Sequence, residues 1–196
     1  MRSITLLLLS GGLVGSLSLA TGCARRNYFQ PDARLDPAAA PAGRPATADS
    51  VWATAGRQYS RHSKFYKLFF GEHHRAIWAA PVRVPVLRLT QAVPAAGLLK
   101  PTKLGGGFQS TSLTLQASDK QTFVIRSLDK DPARILPEFY QKTFLANGMR
   151  DATSAGNPYG ALVVTPLAQA LGVPHTHPRI FYVPADASNL ASAEPR

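Results

Sequence analysis

Thr111-Ser-Leu-Thr-Leu-Gln-Ala-Ser-Asp-Lys-Gln-Thr-Phe-Val-Ile-Arg-Ser-Leu128 decides the fold class. Leu113 and Leu115 alternate with Ser and Thr, the period of a strand with one buried face. Ala117-Ser-Asp-Lys120 reads as a turn and Thr122 to Leu128 as the return strand, so the stretch predicts a β-hairpin. On its C-terminal side, Asp131 can cap a helical region and Pro132 suits the first turn. Ile135, Phe139 and Leu145 supply its apolar positions, and Gly148 is expected to stop it. Asn157-Pro158 opens a second helix, Tyr159 to Leu171, closed by Gly172. Arg179 to Val183 reads as a last strand.

On the N-terminal side of the hairpin, Gly97 to Gly107 reads as a loop. Ala80 to Leu89 is expected to be extended, and Pro81 and Pro85 confine it to a sheet edge. Ser50 to Ala80 is expected to be helical in pieces, with Tyr59, Phe65, Tyr66, Phe69, Phe70 and Trp78 forming an apolar stripe that Gly71 interrupts. The order helix, hairpin, helix, strand makes an α+β domain over residues 51–184, a small antiparallel hairpin or sheet with flanking helices.

The chain has 196 residues and one cysteine, Cys23. Arg2 gives a short positive region, and Leu6 to Ala20 is an apolar and small-residue run of 15 residues. That suits the core of a signal peptide and falls short of the ~20 apolar residues of a membrane span. Leu19-Ala20-Thr21-Gly22-Cys23 resembles a lipobox, with Ala20 where Leu is commoner. Residues 1–22 are therefore read as a lipoprotein signal peptide, and Cys23 as the site that carries a lipid, palmitate included. The other reading is an ordinary secretory signal cut near Ala20 or Gly22, which leaves Cys23 free. Residues 23–50, rich in Pro, Ala and Asp, read as a disordered tether. Residues 185–196 read as a frayed tail.

The formal charge is +11. Ser50 to Ser118 holds nine basic residues and a single acid, Glu72. Such a surface attracts phosphates. In an exported protein the polyanion would be a lipid head group, so anionic lipid or an envelope protein is the expected partner and nucleic acid is not. The same charge also serves solubility alone.

Little in the sequence carries chemistry. Serine catalysis lacks its Gly-x-Ser-x-Gly turn, and the closest carboxylates, Asp129 and Asp131, suit a helix start. His175 and His177, with Glu72, His73 and His74, hold ligand atoms, but Pro174 and Pro178 favour a turn, and no metal or other cofactor is expected. Gly105, Gly106 and Gly107 beside a strand allow backbone N–H groups close to a phosphate. Arg126 on the return strand, with Lys130 nearby, would supply the cations, as a strand lysine does in the N-terminal lobe of a kinase.

Four stretches together carry a resemblance: Phe69-Phe-Gly-Glu-His-His-Arg-Ala-Ile-Trp78, Gly105-Gly-Gly-Phe-Gln-Ser-Thr-Ser-Leu113, Ile125-Arg-Ser-Leu-Asp-Lys-Asp-Pro132 and His175-Thr-His-Pro-Arg-Ile-Phe-Tyr-Val-Pro184. They resemble the N-terminal region of a family of Bacteroidetes cell-envelope proteins. Its longer members continue into kinase-like, calcineurin-like phosphoesterase or outer-membrane β-barrel regions. The resemblance spans about Arg57 to Pro184. It implies a cell-envelope protein; with the lipobox this is expected to be lipid-anchored, and Ala24 and Arg25 after the cysteine, carrying no acidic retention signal, favour the outer membrane. No catalytic set is visible, which favours a non-catalytic binding or assembly module. The alternative is a truncated relative that keeps only phosphate or nucleotide binding.

Overall fold

The computed structural model describes residues 27–39, 41, 49–87, 99–106 and 109–184. The expected signal peptide (residues 1–22), Cys23, Gly107 and residues 185–196 lie outside them. The architecture is α+β, with two small antiparallel sheets and short helices around them.

The first sheet pairs β1 (Ser50–Ala53) with β2 (Val82–Pro85), in the register Val51↔Val84. β1 falls where a helix was expected. Its burial makes the difference: Val51, Trp52 and Ala53 are all buried, and β2 supplies the backbone partners that a lone tetrapeptide lacks. Both edges are covered, which removes open ladder groups. Leu35 N–H donates to the Trp52 carbonyl at 2.8 Å, and Tyr182 N–H donates to the Pro85 carbonyl at 2.9 Å. The expected last strand is thus a single parallel bridge, Val86↔Tyr182.

The second sheet has the order β3 (Lys100–Gly105), β4 (Ser112–Gln116), β5 (Thr122–Arg126). β4 and β5 are the expected hairpin, and Leu113 and Leu115 point into a cluster with Leu87, Leu99 and Ala117. β3 lies where a loop was expected. Pro101 donates no ladder hydrogen bond, and a bulge between Pro101 and Lys103 absorbs that loss at the sheet edge.

The helices are α1 (Lys64–Phe70), α2 (Arg75–Ala79), α3 (Glu138–Gln141), α4 (Phe144–Ala152) and α5 (Gly160–Ala170). Ser63 caps α1 by accepting from Tyr66 N–H at 3.1 Å, and Gly71, at φ 84°, ends it. A side chain at Gly71 would be strained there and would press on the His73 ring. Asp131 caps the tight turn Pro132–Ile135 as its position predicts. Gly148 does not stop α4, which runs four residues further. A mid-helix glycine costs only ~1 kcal/mol, and here the rest of the helix is held by packing and by Asp151.

Part of the expected tether belongs to the domain. Tyr28 is buried against Tyr59 and Trp78, and Gln30 donates to the Thr54 carbonyl at 3.0 Å while accepting from the Thr54 hydroxyl at 2.9 Å. An aromatic residue with a nearby polar anchor was enough to fold back a segment otherwise rich in Pro and Asp.

Candidate functional site

The expected phosphate residues are only partly brought together. Gly105 pairs with Ser112, and Ser112 pairs with Arg126, so Gly105 and Arg126 sit in one row across the second sheet. Gly106 is fixed by geometry: at φ 95° a Cβ would lie 1.8 Å from the Ser110 carbonyl oxygen. Gly107 lies outside the described residues. Lys130 is exposed in the following loop, where its backbone N–H donates to Asp129 Oδ1 at 2.9 Å. A cleft of about 330 Å³ lies between the N-terminal segment and Ile180–Val183, and its one charged lining residue is an acid, Asp32.

The histidines do not assemble a metal centre. The rings of His175 and His177 meet edge to face at 4.9 Å, and His175 Nδ1 lies 2.9 Å from the Val173 carbonyl. His73 Nδ1 lies 2.9 Å from the Ser154 hydroxyl. Among the described residues, no group of three or more His, Cys, Asp or Glu side chains stands together.

The most concentrated polar arrangement lies elsewhere. Arg75, on α2, is completely buried and grips Asp151 of α4 with both nitrogens, Nη1 to Oδ1 at 2.6 Å and Nη2 to Oδ2 at 2.7 Å. His62 Nε2 lies 2.9 Å from Oδ1, and the Tyr66 hydroxyl donates to Oδ2 at 3.1 Å. Arg75 also donates to the carbonyls of Tyr59 and Gly71. Burial pushes the Asp151 carboxyl up, but the guanidinium outweighs it and holds the carboxyl below the usual range. The hydrogen bond to Asp151 raises Arg75 in turn. A second, half-buried carboxylate, Asp129, accepts from the Tyr59 hydroxyl at 2.6 Å and Gln58 Nε2 at 2.7 Å. With no cation on it, burial dominates and its carboxyl is raised. Burial and Asp129 raise the Tyr59 phenol as well.

Arg75 and Asp151 are satisfied by each other and by their neighbours, and together they hold the local geometry. What they hold is α1. Tyr66 turns inward to Asp151 and stacks on His62 at 4.1 Å and on Phe70 at 4.4 Å. The rest of the expected apolar stripe therefore divides. Tyr59 and Trp78 are buried, whereas Phe65, Phe69 and Phe70 are exposed, 72%, 69% and 54%, and beside them Leu68, outside the expected stripe, is 77% exposed. Arg75 was one of the nine charges counted as surface, and the structure removes it to the interior.

A second apolar element is also open. α5 buries none of its residues, and Val163, Val164, Leu167 and Leu171 are all exposed. No Asp, Glu, Lys or Arg occurs from Tyr159 to Pro174. Comparison with family models, with curated proteins and with solved structures returns no match to this chain.

Proposed function

We propose that this chain is a lipid-anchored cell-envelope protein that serves as a non-catalytic binding or assembly module, attached through a lipid on Cys23. The observation that carries the module reading is α5. A helix apolar on all sides is normally surrounded, and exposed apolar surface of this kind belongs to interfaces. Pro166 in its middle removes one backbone hydrogen bond, and eleven residues are too few for an isolated helix to be stable in water. Covering Val163, Val164 and Leu167 would return about 1.5–3 kcal/mol for each side chain fully buried. The partner that fits is a protein with an uncharged apolar groove. The anchor reading is supported by the signal-like segment, the lipobox-like residues and the solitary thiol.

The test uses the full chain in a bacterial envelope. Palmitate should label the protein and vanish with Cys23→Ser. In native gels of the detergent extract, the protein should migrate in an assembly larger than its monomer, and Val163→Asp/Leu167→Asp should release it. Unlabelled protein overturns the anchor, and monomeric migration of the unaltered chain overturns the module.

A second reading, residual phosphate or nucleotide binding, is favoured by the row Gly105, Ser112, Arg126 and by the tight backbone at Gly106. Calorimetric titration with ATP and Mg²⁺ tests it, and no heat at millimolar ligand removes it.

A further inference from the structure

α1 is an amphipathic helix turned inside out. Its polar attachment faces the protein, through Tyr66 on Asp151, and its large apolar side chains face away. Phe65 and Phe69 pack edge to face at 5.0 Å, so with Leu68 they form one raised ridge. The ridge does not depend on the helix's own stability. Seven residues would not stay helical alone, but the Ser63 cap, the Tyr66 hydrogen bond and Gly71 fix both ends and the back.

The charges beside the ridge are positive. Arg61 and Lys64 are exposed and form no ion pair among the described residues, whereas Lys67 is matched by Glu72 at 2.8 Å. Aromatic and aliphatic side chains flanked by Arg and Lys suit the boundary of an anionic bilayer. There the rings enter the interface and the cations meet headgroup phosphates.

The position of the anchor points to the same surface. Tyr28 is five positions after Cys23, a reach of at most about 18 Å when fully extended. Tyr28 packs against Tyr59, with ring centroids 6.3 Å apart. The Tyr59 carbonyl accepts from Arg75, whose guanidinium lies 5.7 Å from the Tyr66 ring of α1. A lipid on Cys23 would therefore hold the domain close to the bilayer, by the region that carries α1.

We propose that α1 docks on anionic lipid, with Phe65, Leu68 and Phe69 in the interface and Arg61 and Lys64 on headgroup phosphates. The proximity argument rests on the anchor reading; the chemistry of the ridge does not.

The test places an environment-sensitive NBD fluorophore at Leu68→Cys in the full chain carrying Cys23→Ser, so that no lipid contributes. A matched protein carries the probe at Gln121→Cys, on the far turn of the β4–β5 hairpin. With phosphatidylcholine/phosphatidylglycerol vesicles, the probe at position 68 should shift to the blue and brighten, and the probe at position 121 should not. Pure phosphatidylcholine should give at most a weak response. Arg61→Glu/Lys64→Glu should weaken binding about tenfold or more, as should Phe65→Ser/Phe69→Ser with circular dichroism unchanged. Inorganic phosphate at millimolar concentration should not compete. Equal response at positions 68 and 121, no response at 68, or indifference to lipid charge overturns the proposal. Suppression by free phosphate would assign Arg61 and Lys64 to a small anion and also overturn it. Palmitate labelling of the unaltered Cys23 is read separately, so the docking can fail while the anchor stands.

Discussion

The three-stranded sheet and the helical region around Asp151 are built on different rules. In the sheet, Leu113 and Leu115 face inward and the alternate residues of β4 face outward. Around α1, α2 and α4 an ion pair, Arg75 and Asp151, and Ser154 are buried beside Tyr59, Trp78 and Ala146, while Phe65 and Phe69 stand in water. Apolar burial is non-directional and grows with area. A buried ion pair adds little net stability but punishes the loss of one partner, because the other charge is left desolvated. The sheet region is therefore held by area, and the helical region by area together with complementarity among a few charged and polar groups.

The largest effect should come from Arg75→Met, which leaves the Asp151 carboxylate without its cation. A loss of about 3–5 kcal/mol is expected in urea unfolding. Leu115→Ala, in the most buried position of β4, should cost a little less, about 3 kcal/mol. The contrast sharpens with Arg75→Met/Asp151→Leu, which removes both charges and should recover most of the loss, whereas no second substitution refills the space at Leu115 as simply. If the double variant is as unstable as Arg75→Met, the cost lies in losing the pair itself and not in stranding the Asp151 carboxylate.

Acid separates the two aspartates by sign. Asp151 is held below its ordinary value, so its contribution is present above the unfolded carboxylate pKa and is lost as pH falls through the folded value. Asp129 is raised, so its contribution is present below the unfolded value and is lost as pH rises through the folded one. Asp151→Asn should then cost about 2–3 kcal/mol at neutral pH and much less in acid. Asp129→Asn should cost about 1 kcal/mol or less at neutral pH, and relatively more in acid. Denaturant midpoints measured across pH for the three proteins check both slopes, and parallel curves would contradict the assignment.

The hairpin was legible because period two and a turn are local signals, and so was the Asp131 cap. The helix closed by Gly172, at φ 67°, was legible for the same reason. β1 and β3 were not, since their partners lie far along the chain and Pro101 reads as a loop residue. The stripe of aromatics was visible, but a helical period tells which residues share a face and not where that face points. Its direction is set by Tyr66 and Asp151, 85 residues apart. Arg75 looked like one more surface cation for the same reason, its partner being 76 residues away. Asp151 carried the one available signal, the only acid within α4. Gly105 and Arg126 lie on either side of Ser112 in one row; the Ser112↔Arg126 half follows from the local hairpin register, and the Gly105 half depends on β3, which reads as a loop.

The smallest effect is the most discriminating for α1. Leu68→Ser and Phe69→Ser remove large apolar side chains, and in the sheet a comparable change at Leu115 would be severe. On α1 they should change stability by no more than about 0.5 kcal/mol, because the side chains leave water no less than before. Phe69→Ser also gives up its i,i+4 contact with Phe65, worth about 0.2–0.5 kcal/mol. Tyr66→Phe, two residues before Leu68 and on the inner face, should cost more, since Asp151 loses a hydrogen bond that burial prevents water from replacing. That ordering, a conservative change outweighing two drastic ones on a single helix, follows only if the polar side of α1 faces in. The reverse ordering in thermal melts would mean that Leu68 and Phe69 are packed in solution and that α1 presents its other face.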